Sequence, residues 1–531
     1  MLREPDHATL DEFKTGDAIP REIGTLLLNL DGNVAREMVA DIPARKDVHE
    51  RVLEPAVDGW SPIMDEDYVS PENILKAYPV FLNSLKMRGL SDMNQVRCLP
   101  LSAGVYDYGD EVGCRMIRVL SFLASENTHS MFAHPIDGIV AHVDLTNRRV
   151  ARLIDTGYNT FRWTTLTANL KWEKWEIRVG FNGREGLTLH DVSFDDNGRK
   201  RPILNRASVS EMVVPYGRPE PTHDWQNYFD VGEYQFGRIA NSLVLGCDCL
   251  GKIQYLDAVV VDDLGEPVVL KNVVCIHEED YGTLWKHSDV YTSTGTVRRQ
   301  RRLVLSFFVT VVNYDYGFYW YFYLDGRIEL ECKATGLVFT SGHPGGQYDF
   351  ATEMAPRLGA PCHQHLFSAR LDVAIDGGKC FVDELEVEQL PITTNRLGNP
   401  TAYVLAFEGQ PLLLAAKESS VAKRAIFASK HLWVTQYARD ELWAAGYTPN
   451  QNPGFAGLPA YTKANRSVNG ENIVVWHTFG LTHFPRPEDW PIMPVDYAKF
   501  TFRPEGFFDR NPTLDMPEDP NGKEHSESCC P

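Results

Sequence analysis

Residues 306–330 read SFFVTVVNYDYGFYWYFYLDGRIEL. β-Branched and aromatic side chains fill the run almost without a break, the composition of a strand packed inside a sheet. Asn313-Tyr314-Asp315 interrupts it with an amide, a phenol and a carboxylate, where packing alone asks for none. Taken as one strand, the run places Thr310, Val312, Tyr316 and Phe318 on the face that carries Tyr314, because side chains alternate with period two.

The surrounding sequence continues in the same manner. From about residue 158 onward, short apolar or alternating runs are separated by Gly, Pro, Asn and Asp: WEIRVGF (175–181), LTLHDVSF (187–194), VVVDD (259–263), LDVAID (371–376) and AYVLAF (402–407). Long helical patterns are nearly absent there, so residues 158–531 are expected to form a large antiparallel β-sandwich. Residues 60–157 carry a helix signal: Ser70 as cap, Pro71 at the first helical position, then Ile74, Leu75, Tyr78, Leu82 and Leu85 at helical spacing, with Pro79 set to kink or shorten it. Strands at 116–124 and 138–144 follow, which makes this segment a small α/β unit. Residues 1–59 read as the end of another, with a strand at 24–30. The fold class is mainly β, a large sandwich preceded by small α/β domains.

The chain has 531 residues, 72 acidic against 52 Lys and Arg, and a formal net charge of −20. Phosphate binding needs a basic face, so nucleic acid is excluded as an expected partner, and an acidic surface favours a cationic substrate. No uncharged apolar run is long enough to span a membrane, and the N-terminus lacks the apolar segment of a secretory signal. The last residues, Ser528-Cys529-Cys530-Pro531, do not form a peroxisomal tripeptide, which leaves the cytoplasm as the default. Ten scattered cysteines form no dense disulfide framework, and by themselves they read as free thiols.

Three local features carry chemistry. In Cys362-His363-Gln364-His365, the two histidines share a strand face and can bind one metal ion, although an isolated H-x-H is a weak signal that more often marks two satisfied strand histidines. Tyr314 is either a core tyrosine or something more reactive. Asp230, in Tyr228-Phe229-Asp230-Val231-Gly232-Glu233, follows two aromatics and is placed for partial desolvation, which raises a carboxyl pKa as a general base requires.

Together these stretches resemble the copper-containing amine oxidases. Thr310-Val311-Val312-Asn313-Tyr314-Asp315 is similar to the segment whose tyrosine becomes topaquinone, and NYFDVGEYQFG (227–237) to the one carrying the catalytic base. ANSLVLGCDCLGKIQYLDA (240–258), APCHQHLFSARLD (360–372), GLTHFPRPEDWPIMP (480–494) and FFDRNPTLDMP (507–517) resemble the following segments in order. The resemblance implies copper on His363, His365 and His483. Zinc would also accept three imidazoles, but zinc has no redox chemistry with which to modify Tyr314, so copper is expected. It further implies that Tyr314 is oxidised to topaquinone and forms the Schiff base with a primary amine, that Asp230 takes the α-proton, and that O₂ is the electron acceptor. Asn313 is implied to restrain the ring, Tyr216 (in VPYGRPEP) to bond the quinone oxygen, and Tyr228 to gate the channel. A Cys249–Cys275 disulfide and a homodimer with interlocking hairpin arms are also implied. The expected function is oxidative deamination of primary amines to aldehyde, ammonia and hydrogen peroxide. Two rivals stand beside it: a catalytically impaired scaffold, and a zinc hydrolase that would leave the Asn-Tyr-Asp triplet unexplained.

The sequence also departs from that pattern. A second cation site for Ca²⁺ or Mn²⁺ would use Asp372, Val373, Asn472 and Ile473, but Asn472 stands where an aspartate is usual, so the site is expected to be weak or empty. The start holds only the end of the first small domain, and material is missing between Thr156 and Trp172 and between Gln389 and Asn395. Residues near Ala133–Ile136 are expected to contribute to the substrate channel.

Overall fold

The computed structural model describes residues 2–3, 22–29, 34–41, 45–60, 62–63, 66–87, 92–102, 104, 109, 111–123, 135–153, 166–262, 267–292, 294–383 and 413–517. The AYVLAF run, the Gln389–Asn395 stretch, Ala133, His134 and the last four residues lie outside these, as do residues 154–165.

Strands β1 (Leu2–Arg3), β2 (Glu22–Asn29), β3 (Val34–Asp41) and β4 (Lys46–Leu53) form an antiparallel sheet in that order. Two helices, Glu66–Lys76 and Pro79–Met87, pack on a second sheet of β5 (Val96–Ser102), β6 (Met116–Leu123), β7 (Pro135–Asp144) and β8 (Arg149–Arg152). Leu75, Phe81 and Leu85 meet Val96 and Val119 in its core. The helix begins four residues before Ser70, which corrects the expected cap and places Pro71 inside it. Asp67, buried against Arg115 at 3.2 Å, anchors that earlier turn, so a tertiary ion pair overrides the local capping signal. Pro79 ends the first helix and opens the second, as its missing N–H dictates.

The remainder is two large facing sheets and a small three-stranded one made of Ser341–Gly342, Leu358–Pro361 and Ala351–Ala355. Its strands are β9 (Leu166–Trp172), β10 (Trp175–Asn182), β11 (Gly186–Asp196), β12 (Arg199–Pro215), β13 (Asn227–Phe229), β14 (Gln254–Val261), β15 (Pro267–Asp289), β16 (Thr294–Val311), β17 (Tyr314–Tyr323), β18 (Ile328–Gly336), β19 (Ser341–Gly342), β20 (Ala351–Ala355), β21 (Leu358–Pro361), β22 (His363–Val373), β23 (Leu432–Gln436), β24 (Ile473–His483) and β25 (Met493–Phe502). One sheet runs β23-β24-β22-β12-β11-β10-β9 with β13 beside β12, and the other runs β14-β15-β16-β17-β18-β25. Every pairing is antiparallel. Phe181, Leu189, Phe367 and Phe479 from the first sheet pack with Leu305, Phe307, Phe318 and Trp320 from the second in one core. The sandwich is the one expected.

The opening stretch is a hairpin, not one strand. β16 ends at Val311 opposite Tyr314, the first residue of β17, so Val312 and Asn313 form a two-residue turn. Val312 holds φ 57°, which a β-branched residue rarely adopts, and Val-Asn is not the usual Asn-Gly signal for such a turn. The turn is held from outside: Leu337 N–H donates to the Asn313 carbonyl at 2.8 Å, and the Asn313 side-chain amide donates to the Leu337 carbonyl at 2.6 Å. Gly336, at φ 100°, makes room, since a Cβ there would stand 2.7 Å from the Asn313 oxygen. Of its four expected neighbours, Tyr314 therefore shares its face with Tyr316 and Phe318, while Val312 lies in the turn and Thr310 sits across the hairpin opposite Asp315.

Among the described residues no helix is long and apolar enough to cross a membrane.

Candidate active site

Strand alternation delivers the site. On β22, His363, His365, Phe367, Ala369 and Leu371 are buried, and the last three belong to the inter-sheet core, so the H-x-H pair faces the other sheet. β24 pairs with β22 in the register His363↔His483, which sets the third histidine directly opposite the first. From the second sheet, Tyr314 at the start of β17 closes the group. These four side chains are at most 3% exposed.

One potential ligand nitrogen from each histidine lies within 4.8 Å of the others, and this is the only group of three or more such side chains among the described residues. Each imidazole is oriented by a partner on its far side. Pro361 O lies 2.8 Å from His363 Nδ1, Tyr316 Oη lies 3.0 Å from His365 Nδ1, and Asp489 Oδ2 lies 3.1 Å from His483 Nε2. If each of these nitrogens carries the proton, His363 Nε2, His365 Nε2 and His483 Nδ1 keep their lone pairs, a division of roles that metal-binding imidazoles use. His365 Nε2 is buried with no hydrogen-bond partner. Such an orphan is costly unless something electrophilic faces it. Burial, and then the neighbouring imidazoles, push His365 well below the ordinary histidine pKa and His363 down to about 3, so both rings stay neutral. A borderline metal ion with a preference for nitrogen fits this donor set.

Tyr314 lies against that centre. Its Oη is 2.6 Å from His363 Nε2 and 2.9 Å from His483 Nδ1. Its ring stacks on Tyr316 at 5.6 Å and 18°, and Tyr216 stacks on His363 at 4.6 Å and 17°. Burial raises the Tyr314 phenol well above the usual tyrosine range. A narrow cleft joins Tyr314 to Asp230, with Tyr216, Tyr228, Phe339 and Leu101 along its walls. Asp230 opens the one-turn helix Asp230–Tyr234, which β13 leads into from its pairing with β12. It is 3% exposed, and burial, followed by the charges of Glu233 and Glu211, raises its pKa well above the carboxylate norm. The small domain reaches this helix: the Ser102 N–H donates to Tyr234 Oη at 2.8 Å.

Tyr314, Asn313, Tyr216, Tyr228 and Asp230 thus line one cleft, and the cluster of His363, His365 and His483 meets it through Tyr314. Asp372, Val373, Asn472 and Ile473 lie at the far ends of β22 and β24. There the Asp372 carboxylate accepts from Asn205 at 3.1 Å and stands 3.9 Å from Arg370. Cys249 and Cys275 pack with Leu243 in a small cluster as free thiols. Sequence reading placed Tyr316 on Tyr314's face without giving it a role, and it missed Asp489. Asp489 was detectable as the acid six residues after His483. In Asp489, Arg486 and His483 overcome the cost of burial and hold the carboxyl down at about 2.

Comparison with known proteins adds the following. The family model described as Copper amine oxidase, enzyme domain, matches residues 165–394 and 391–523, and the one described as Copper amine oxidase, N3 domain, matches residues 66–166. Histamine oxidase of Arthrobacter globiformis is 49% identical over 98% of this chain and 86% of its own length. Primary amine oxidase of Arthrobacter sp. (strain P1) is 37% identical over 100% of this chain and 92% of its own. The crystal structure of a copper-containing benzylamine oxidase from Hansenula polymorpha has a TM-score of 0.83 at 26% identity, covering 98% of this chain and 94% of that one. The first alignment extends over 593 positions against 531 residues here, so that relative carries at least 62 positions this chain lacks. The two enzyme-domain matches meet at 391–394, within the stretch Gln389–Asn395 that reads as short.

Proposed function

This chain belongs to the copper amine oxidase family and is a copper-containing amine oxidase; from that premise we propose that it converts a primary amine, O₂ and water to an aldehyde, ammonia and hydrogen peroxide, with Tyr314 processed to topaquinone. The observation that carries this reading is the contact of Tyr314 Oη with two of the three clustered histidines. Copper on His363, His365 and His483, together with the quinone, supplies the two-electron redox chemistry that amino-acid side chains lack.

The chain's own residues do the rest. Asp230 takes the α-proton of the bound amine, and its raised pKa makes it a stronger acceptor than an exposed carboxylate. Asn313 is pinned to Leu337 and holds the turn from which the Tyr314 ring projects. Tyr216 and Tyr228 meet edge to face at 5.9 Å and shape the cleft, with Tyr228 as its gate. The cleft wall is aromatic and aliphatic apart from Asp230 and Asn313 and the tyrosine hydroxyls, which suits an amine with an aromatic body, and one relative is named Histamine oxidase. kcat/KM is therefore expected to be higher for histamine or benzylamine than for methylamine; the reverse order in steady-state assays would refute this substrate class.

Tyr316→Phe is expected to weaken copper binding roughly 10- to 100-fold, because His365 loses the partner that fixes its ring. Competition against a chelator of known affinity measures it, and parental affinity would show that Tyr316 does not orient the ligand. The test of the function as a whole is reconstitution of the copper-free protein with Cu(II) in air, followed by phenylhydrazine titration and amine-dependent peroxide release. An impaired scaffold, the reading that the 62 missing positions favour, predicts no phenylhydrazine adduct.

The remaining assignments are part of the same proposal. Cys249 and Cys275 are free thiols in the structure, and the proposed disulfide between them rests on the packing of the two side chains together. A weak Ca²⁺ or Mn²⁺ site at Asp372 is limited by its Asn205 and Arg370 neighbours. A homodimer is supported by the long β15–β16 hairpin, whose tip exposes Val290 and Tyr291. Cytoplasmic residence is kept, although one relative is named Peroxisomal primary amine oxidase.

A further inference from the structure

Next to the Asp230 turn lies a carboxyl that the reaction described above leaves unused. β12 slips register against β22 between Val209 and Glu211, and fully buried Glu211 meets the one-turn helix next to this bulge. Its Oε1 accepts the Gly232 N–H at 3.0 Å and its neighbour Met212 N–H at 3.1 Å. Its Oε2 is buried with no hydrogen-bond partner, and Arg184 Nη2 stands 3.9 Å off, beyond hydrogen-bond reach. Arg184 is engaged elsewhere: it donates to the carbonyls of Tyr447 and Gly446 and lies 4.4 Å over the Trp443 ring. Gly232 is a space requirement of this arrangement, since a Cβ there would stand 2.7 Å from Glu211 Oε2 and 2.2 Å from Pro449 Cγ. The other glutamate nearby is better satisfied. Glu233 pairs with Arg424 at 2.8 Å and accepts the Phe229 N–H at 2.9 Å.

We propose that Glu211 is a positioning residue for amine oxidation: through the Gly232 N–H it fixes the turn that carries Asp230, and its underpaired carboxyl keeps Asp230 an avid proton acceptor. This rests on the assignment of Asp230 as the base. The physics is like-charge repulsion between buried groups, where a second carboxylate disfavours ionisation of the first. The groups facing the pair are Arg184 from the β10–β11 turn, Glu233 on the helix with Arg424 behind it, and Tyr216 and Tyr316 toward the cleft. Burial also lifts Glu211 itself to about 7, with Arg184 and the Met212 and Gly232 N–H groups opposing the rise.

Glu211→Gln keeps an acceptor for Gly232 and removes the charge. In copper-loaded enzyme with parental phenylhydrazine titre, the acid limb of kcat/KM against pH is expected to move down by about one unit. kcat at the optimum is expected to fall roughly tenfold with KM little changed, because a weaker base accepts the proton less readily. A profile that superimposes on the parent's would overturn the proposal and leave Glu211 as packing. Should the glutamine variant fail to fold, Glu211→Asp keeps the charge but withdraws it by one methylene. There kcat is expected to fall with the acid limb in place, and unchanged kcat overturns the clamp. Asp230→Asn separates the two assignments: parental turnover in that variant refutes the base itself, whatever Glu211 does.

Discussion

Tyr314→Phe is expected to give a colourless protein that still binds about one Cu(II) per chain, forms no phenylhydrazine adduct and releases no peroxide from any amine. The change removes one oxygen from a ring that is otherwise held by stacking on Tyr316, so the three histidines keep their positions and their partners. Phenylalanine lacks the electron-donating hydroxyl that makes the ring oxidisable next to copper and O₂. Loss of activity alone would not be diagnostic; retained copper with absent quinone is. His483→Ala approaches the same point from the metal, leaving Tyr314 in place but the centre short of one nitrogen, and the tyrosine should stay unmodified. A phenylhydrazine-reactive chromophore in the Tyr314→Phe protein would refute the cofactor assignment.

Asp230→Asn is expected to cut amine turnover by roughly 10²- to 10⁴-fold while leaving copper content and quinone titre at parental levels, since a positioned general base is typically worth that much. Stability should move the other way. A carboxyl whose folded pKa lies above its unfolded value binds its proton more tightly in the folded chain, so raising the pH through that interval disfavours folding. Asp230 is such a group, with burial as the main cause. Asparagine removes the cost of ionising it, and the variant should melt no lower than the parent at pH 8. A variant with lost activity and a lowered Tm would point to damaged structure, and one with parental turnover would disqualify Asp230 as the base.

Much of this site could be read in advance because it obeys local rules. His363 and His365 are two apart on a strand, so their common face follows from the pleat. Asp230 announced its desolvation through Tyr228 and Phe229. Other features depend on partners distant in sequence. His483 is 120 residues from His363 and 169 from Tyr314, and only its likeness to a family segment singled it out. The turn at Val312-Asn313 was invisible because nothing local favours a left-handed valine there; the clamp that imposes it comes from Gly336 at the end of β18 and Leu337 just after it. Glu211 was hidden for a related reason, since a bulge breaks the alternation on which inward-facing positions are counted.

The His363↔His483 register has a consequence for assembly of the protein. A slip of one residue between β22 and β24 would turn the whole far strand over and set Thr482, not His483, toward the ion. Even a two-residue slip, which preserves inside and outside, would leave Leu481 or nothing opposite His363. On the proposed ligand set, copper would serve as a gauge of correct sheet pairing, since only a chain whose strands have found the right neighbours in the right phase brings the three histidines together. If the quinone is made only where that ion is held, as proposed above, the colour of the mature protein would certify a completed fold, and misaligned chains would remain colourless.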